Sequence, residues 1–397
     1  MNEVAKNIVE TKIKKLRSGT PIKEFNNNKL AEVEINKFFY NGSMIDRVMV
    51  VLRANGCEHY KTNGGCSMCA HYNGTSINNI VTDRNYKKQW DSVLDGTGIE
   101  KKDYNFNIDN FPVVCIYNLG SFLNVNEISL EAAKYIFSKL NEHAGVKKAI
   151  IESRAEYIND ETINNIKSVY SNTIEVGIGV ESTNNKIREL CHHKGLDDLK
   201  IIKTAVEILH KYNCKALAYI NLKPVFLTEQ EAIDDAIQTC LDCIEMGFDA
   251  ISIEPTSLQE HSLANYMYEI GEYRVPWLWS IRDILNEVYK KTGLQSYDFR
   301  IGGYFDEEVL SGSQGVGFEG KNELFPHLTS SNCSICTPNF VNKIKEFNCT
   351  YDIACLNDIQ KCEHCYSIWE ETKKIKDSRK IEQRIIDVLG DDYANKM

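Results

Sequence analysis

The 397-residue chain has no apolar run long enough to cross a bilayer, which excludes an integral membrane helix. Its opening residues, MNEVAKNIVETKIKKLRSG, carry charge throughout and lack the apolar stretch of a secretory signal, so the expected location is the cytoplasm. Positive charge is not in excess. Forty-six Lys and Arg against 56 Asp and Glu leave −10, the wrong sign for a strongly basic nucleic-acid binder, although a local basic patch is compatible with it. Internal repeats and low-complexity tracts are absent as well. What remains is ordinary globular composition, 43% hydrophobic and 26% charged, which excludes intrinsic disorder. Fourteen cysteines stand out, and in a chain without an export signal they read as metal or redox ligands rather than a disulfide framework.

Residues 3–17 have the spacing of an amphipathic helix, with Val4, Ile8, Val9, Ile13 and Leu16 on one face, and a polar arm follows. Short β-rich runs then alternate with helical patterns. The strands are expected at 47–53, 113–118, 148–153, 174–180, 215–222 and 250–254. Helices are expected near 84–94, 130–143, 160–170, 184–193, 197–212 and 229–246. Near-continuous apolar strands separated by helices imply an α/β fold with a parallel sheet. Six βα units fit a partial (β/α)6 barrel of TIM type or a doubly wound sheet. The division expected is an N-terminal helix and arm (1–45), a βα core (46–295) and a cysteine-rich C-terminal region (296–397). Within the last, 302–331 reads as a long Gly/Ser-rich loop and about 377–390 as a charged helix. Chemistry in such folds gathers beyond the carboxyl ends of the strands. Those positions hold Cys57, Gly120, Ser121, Ser153, Arg154, Glu181, Lys223 and Glu254.

The loop after the first of these strands carries Cys57, Cys66 and Cys69 in a C-x8-C-x2-C pattern. Three thiolates can hold three irons of a [4Fe–4S] cluster and leave the fourth iron open to S-adenosylmethionine. A structural zinc with His59 or His71 as fourth ligand is the competing reading. Near the C-terminus, Cys333-x2-Cys336 and Cys362-x2-Cys365 form two knuckles able to grip one tetrahedral zinc or a second cluster. Cys115, Cys191, Cys214, Cys240 and Cys243 fall on strand or helix faces and read as small core residues. His192, His193 and Lys194 are expected to project near the strand-end face, the alternative being charges that complement a helix C-terminus. Tyr273, Arg274, Trp277 and Trp279 form a set that either stacks on a base or packs in the core. If both cysteine groups are structural, the chain is a non-catalytic zinc-binding interaction module.

Five segments besides the cysteine loop carry a resemblance: YNLGSFLNVNEIS (117–129), IIESRAEYI (150–158), EVGIGVESTNNKIRELCHHKG (175–195), INLKPVFLTEQEAIDDA (220–236) and 251–285. In them the chain resembles radical S-adenosylmethionine enzymes of the elongator-like branch and is most similar to the archaeosine-forming (RaSEA) family. The resemblance implies that Cys57, Cys66 and Cys69 hold the [4Fe–4S] cluster. It also implies that Gly120, Ser121, Ser153, Arg154 and Glu181 contact S-adenosylmethionine, Arg154 otherwise pairing with Glu152 or Glu156. The implied activity is reductive cleavage of S-adenosylmethionine to a 5′-deoxyadenosyl radical that takes hydrogen from a substrate. In archaeosine formation that substrate is a lysine-adducted deazaguanine in tRNA, whose lysine moiety loses a carbon–nitrogen bond. The implied partners are an electron donor of flavodoxin or ferredoxin type, tRNA and a lysine-transferring enzyme. A radical tailoring enzyme for a small molecule or amino-acid derivative is the alternative.

Overall fold

The computed structural model describes residues 2–20, 23–76, 79–293, 297–304, 307–312 and 329–394. Helix α1 (Asn2–Arg17) buries Ile8, Val9 and Ile13, as its spacing requires. A hairpin of β1 (Glu32–Tyr40) and β2 (Ser43–Val51) follows, closed by Asn41 and Gly42 at φ 49° and 79°. Two left-handed residues in that turn match the twist of paired strands. Part of the expected N-terminal arm is therefore a strand. Its pattern hides this, because β1 turns Val33 and Ile35 to the main core but Glu34 and Asn36 to an interior cavity. The Asn-Gly pair was the available signal.

Strands β3 (Val113–Tyr117), β4 (Lys148–Ser153), β5 (Thr173–Gly179), β6 (Lys215–Leu222), β7 (Ala250–Pro255) and β8 (Asp298–Ile301) all run parallel with β2. A short helix, α2 (Glu58–Asn63), sits in the loop after β2. The helices α3 (Asp83–Leu94), α4 (Leu130–Leu140), α5 (Asp160–Lys167), α6 (Leu199–Lys211) and α7 (Glu229–Glu245) follow β2 to β6 in turn. After β7 come α8 (Leu263–Glu269) and α9 (Leu278–Thr292). These are the six expected βα units of a partial barrel, and β8 adds a seventh parallel strand. Outward side chains such as Val50, Ile116, Ile151, Val176 and Ile253 pack under the helices in one continuous core with Trp90 and Phe137. Residues 184–193, expected as a helix, contain only a π-turn over Ile187–Cys191. There the buried Arg188 guanidinium donates to Leu196 O (2.8 Å) and Ser182 O (3.0 Å), carbonyls that a longer helix would have left elsewhere.

The sheet order is β8-β7-β6-β5-β4-β3-β2-β1-β9, with β9 (Glu307–Gly312) antiparallel to β1. The long loop expected over 302–331 thus contains an edge strand, while 305–306 and 313–328 lie outside the described residues. Six chain steps separate Ile301 from Glu307, a reach of about 22 Å at most, so the sheet must curl until its edges approach. The seam is covered by the helix Thr337–Thr350, which packs on both β1 and β8. Its buried Asn348 accepts from Ile301 N (2.9 Å) and donates to Ile301 O (2.8 Å) and Tyr304 O (3.0 Å), filling the bonds of an open strand edge. Asn348→Ala is expected to cost roughly 3 kcal/mol, the scale of leaving buried backbone groups unpaired. Urea unfolding with an unchanged m-value would measure it. At the amino end of the barrel, Glu175 pairs with Arg300 (2.7 Å) and Lys148 (2.6 Å). Burial alone would raise its carboxyl, but the two cations hold it far below the usual carboxylate range. The expected charged helix lies at Ile381–Ala394 and packs on α1.

Candidate active site

The carboxyl ends of the parallel strands open into a cavity of about 490 Å³. Cys57, Cys66, Cys69, Gly120, Ser121, Ser153, Arg154 and Glu181 all line it. Lys223 does not. It lies at the end of β6, ion-paired to Glu229 (2.7 Å). Leu119, Glu181 and Lys223 follow β3, β5 and β6 with φ of 59°, 61° and 58°, a conformation bulky residues avoid. Strain at the ends of three strands of one sheet is what functional loops commonly store.

The cysteine loop turns at Gly64 and Gly65, with φ of 86° and 83°. It is tied to the next loop by Glu127. That carboxylate accepts from Glu58 N (3.0 Å), beside Cys57, and from Ser121 N (2.6 Å). Gly120 is needed for this approach, since a Cβ there would stand 2.0 Å from the Glu127 carboxylate and 3.3 Å from Cys57 Cα. Sequence reasoning missed Glu127, and nothing in its local pattern marks it.

Arg154 N donates to Ser121 Oγ (3.2 Å), joining the β4 end to the β3 loop. The Arg154 guanidinium pairs with Glu156 (2.5 Å), one of the two carboxylates anticipated for it, and Ser153 Oγ donates to Arg154 O (3.1 Å). Glu181 receives Lys194 Nζ at 2.7 Å. His192, His193 and Lys194 are all buried, not charges displayed at a helix end, and Lys194 lines the cavity at the strand-end face near which it was expected. His59, a candidate zinc ligand, has Nε2 2.7 Å from His193 O and Nδ1 3.3 Å from Asn63 Nδ2, so both ring nitrogens are engaged away from the thiols.

Inside the barrel the cavity also meets Tyr117, Glu152, Tyr219, Asn221 and Glu254. Among the described residues neither Glu152 nor Glu254 has an ion-pair partner; Ser252 Oγ donates to Glu254 (2.6 Å). Burial pushes the Glu152 carboxyl up to about 7, against the Tyr219 hydroxyl, while Glu254 adds like-charge repulsion. Burial raises Glu254 too. Gly302 leaves room for the second carboxylate, a Cβ there falling 1.8 Å from Glu254 Oε2. Glu254 is one of the strand-end positions expected to carry chemistry, and a carboxylate embedded in an apolar strand run was the signal for Glu152. Burial likewise raises Cys57 to about 12 and Cys69 to about 11, so without a metal both stay protonated.

The C-terminal cysteines form a second centre. Cys333–Cys336, Cys333–Cys362 and Cys336–Cys365 sulfurs are 3.7, 3.6 and 3.5 Å apart. All four lie within 4.8 Å of one another, a spacing that no other group of three or more His, Cys, Asp or Glu ligands reaches among the described residues. A tetrahedral ion with sulfur at about 2.3 Å has an edge of about 3.8 Å. Four sulfurs so placed fit one ion. Trp279 Nε1 donates to Cys365 Sγ (3.4 Å), and Trp369 Nε1 bonds Ser280 Oγ (3.0 Å), which bonds Glu229 (2.6 Å). Trp279 is wholly buried against Phe340, Tyr366 and Trp369, and Trp277 is buried under Arg274, so core packing is where these tryptophans belong. Cys115, Cys191, Cys214, Cys240 and Cys243 are buried, as expected for small core residues.

No family model matches the chain. It is 33% identical over 373 residues to an uncharacterized protein of Methanocaldococcus jannaschii, covering 93% of this chain and 94% of that protein. It is 29% identical over 341 residues to archaeosine synthase subunit beta of Methanosarcina acetivorans, covering 85% and 88%. A queuine lyase from Clostridium spiroforme, solved with S-adenosylmethionine and queuine, matches with a TM-score of 0.40 and 18% identity over 68% of this chain and 95% of that one. No helix among the described residues is long and apolar enough to cross a membrane. The chain belongs to the same family as the Methanocaldococcus protein, and over most of its length it is also similar to archaeosine synthase subunit beta of Methanosarcina acetivorans and Thermococcus kodakarensis.

Proposed function

We propose that Cys57, Cys66 and Cys69 hold a [4Fe–4S] cluster, that S-adenosylmethionine lies between it and the β3–β5 ends, and that the substrate is an amine-bearing deazaguanine of the archaeosine type in tRNA. One observation carries the reading: a single cavity is lined by three thiols and by two carboxylates, Glu152 and Glu254, that stand outside any ion pair among the described residues. The donor set suits the group. Cys57, Cys66 and Cys69 do not share the tight spacing of the C-terminal four, which favours thiolates on separate irons over a single zinc. When bound, the cluster and S-adenosylmethionine would supply a 5′-deoxyadenosyl radical. A volume of about 490 Å³ is of cofactor-pocket size.

The chain's own residues divide the remaining work. The Ser121 and Arg154 loops, braced by Glu127, would place the amino and carboxylate groups of S-adenosylmethionine, and Glu181, held by Lys194, would accept from its ribose hydroxyls. Glu152 and Glu254 would receive the cationic or N–H-rich part of the substrate and orient the hydrogen to be taken. The tRNA and a lysine-transferring subunit are the partners this reading requires, together with a reducing donor protein. The C-terminal four-thiolate centre would hold zinc.

The test is turnover of the anaerobically reconstituted, reduced protein with S-adenosylmethionine and tRNA bearing the lysine adduct, followed by nucleoside mass spectrometry. The formamidine-bearing base is the expected product. Cleavage of S-adenosylmethionine with no change in the tRNA would reject this substrate. Because Glu152 must be ionised to hold a cation, kcat/KM is expected to fall about tenfold per pH unit below about 7. Glu152→Gln should remove that acid limb and raise KM more than it lowers kcat.

A further inference from the structure

Arg17 closes α1, and four of its five guanidinium hydrogen bonds go to the loop that carries the three active-site cysteines. Nε donates to Gly64 O (3.2 Å). One terminal nitrogen donates to Tyr72 Oη (2.7 Å) and His261 O (2.8 Å). The other donates to Cys66 O (2.9 Å) and Cys69 O. Arginine has five N–H donors, and all five are taken. The side chain is buried, and among the described residues it has no carboxylate partner. A buried cation with no counter-charge carries a desolvation penalty that carbonyl dipoles only partly offset. Residues that leave such a charge uncompensated imply an anion close by. Three thiolates around a dipositive cubane amount to −1, and one added electron makes −2.

We propose that Arg17 is a positioning residue for the cluster: it ties down the carbonyls of two of the three cysteine ligands and is the fixed counter-charge that stabilises the one-electron-reduced form. This rests on the reading that Cys57, Cys66 and Cys69 hold an iron–sulfur cluster. Arg154 and Lys194 also neighbour the thiols, but each is paired to a carboxylate, Glu156 and Glu181. Among the described residues Arg17 is the neighbour with no carboxylate partner, its guanidinium meeting carbonyls and the hydroxyl and ring of Tyr72.

The experiment is an anaerobic redox titration of the reconstituted full-length protein without S-adenosylmethionine, reading the reduced cluster by electron paramagnetic resonance as dithionite delivers one electron. Iron, sulfide and C-terminal metal content are measured in parallel, the last as a check on folding. Arg17→Gln removes the charge, whereas Arg17→Lys keeps it with fewer donors. At fixed applied potential, the ratio of reduced to oxidised cluster should fall at least tenfold in Arg17→Gln, equivalent to 59 mV for a one-electron couple. In Arg17→Lys it should fall less than threefold. An unchanged ratio in Arg17→Gln overturns the inference, as does an equal fall in both variants, which would mark a purely structural tie. Should Arg17→Gln retain no iron, the lysine variant decides: a full cluster with a near-wild-type ratio upholds the counter-charge, and loss of the cluster refutes it. A wild-type protein that assembles no cluster removes the functional reading itself, and this inference with it.

Discussion

Alanine at Cys57, Cys66 or Cys69 is expected to bring 5′-deoxyadenosine formation down to background, at least ~10³-fold or about 4 kcal/mol in activation free energy. The size follows from the geometry. The three thiols line one cavity, His59 is engaged by His193 O and Asn63, and His71, which also lines the cavity, offers a neutral imidazole where the cluster needs a thiolate. The fold should survive, because the loop is also held by Glu127 and by Arg17, neither of which contacts it through a cysteine sulfur. Cys240→Ala is the matching control: it lies wholly buried on α7, away from the cavity, and should keep full cleavage activity. Cleavage at wild-type rate in any of the three loop variants would dispose of the radical mechanism.

The second large effect concerns the C-terminal thiolates. A triple Cys57/Cys66/Cys69→Ala protein is expected to retain one zinc per chain, to contain no iron and to be colourless. Sulfurs 3.5 to 3.7 Å apart surround one ion, whereas a cubane puts each thiolate on a different iron and needs them spread farther. Iron with broad visible absorption in that triple variant would reverse the assignment. Removing the ion should then do more than loosen a tail. Binding of structural zinc supplies about 10–16 kcal/mol in zinc-finger peptides, comparable to the whole stability of a domain. Here the knuckles start the helices Thr337–Thr350 and Tyr366–Lys374, the first of which fills the barrel seam through Asn348. Cys336→Ser, or a strong chelator, is therefore expected to lower the melting temperature of the barrel itself and to increase protection losses in β1 and β8, measurable by hydrogen exchange.

Much of this architecture is legible along the chain. The six βα units read correctly because β2 to β7 are apolar on their outer faces and the intervening helices repeat at three- and four-residue spacing. The departures are instructive. β1 escapes notice because alternate side chains face a polar cavity, and β9 because acidic residues occupy an edge strand that water reaches. The position of Lys194 near the strand-end face is legible in the chain, but its burial is not, because a lysine next to two histidines at a helix end is commonly a surface charge. Its pairing with Glu181 depends on the π-turn bringing residue 194 back over β5.

Sequence by itself determined the alternation of strands and helices, the two cysteine groups and the strand ends where chemistry gathers. Hydrogen-bond periodicity and ligand spacing act over a few residues, and such short-range patterns survive in a linear string. Tertiary structure alone decided which charges go unpaired, what seals the barrel and what braces the cysteine loop. Arg17 meets Cys66 across 49 residues, Asn348 meets Ile301 across 47, and Glu127 meets Glu58 across 69. Contacts of that range arise only when the sheet has curled and its loops share one rim, and no local pattern encodes which residue will stand opposite another once that happens.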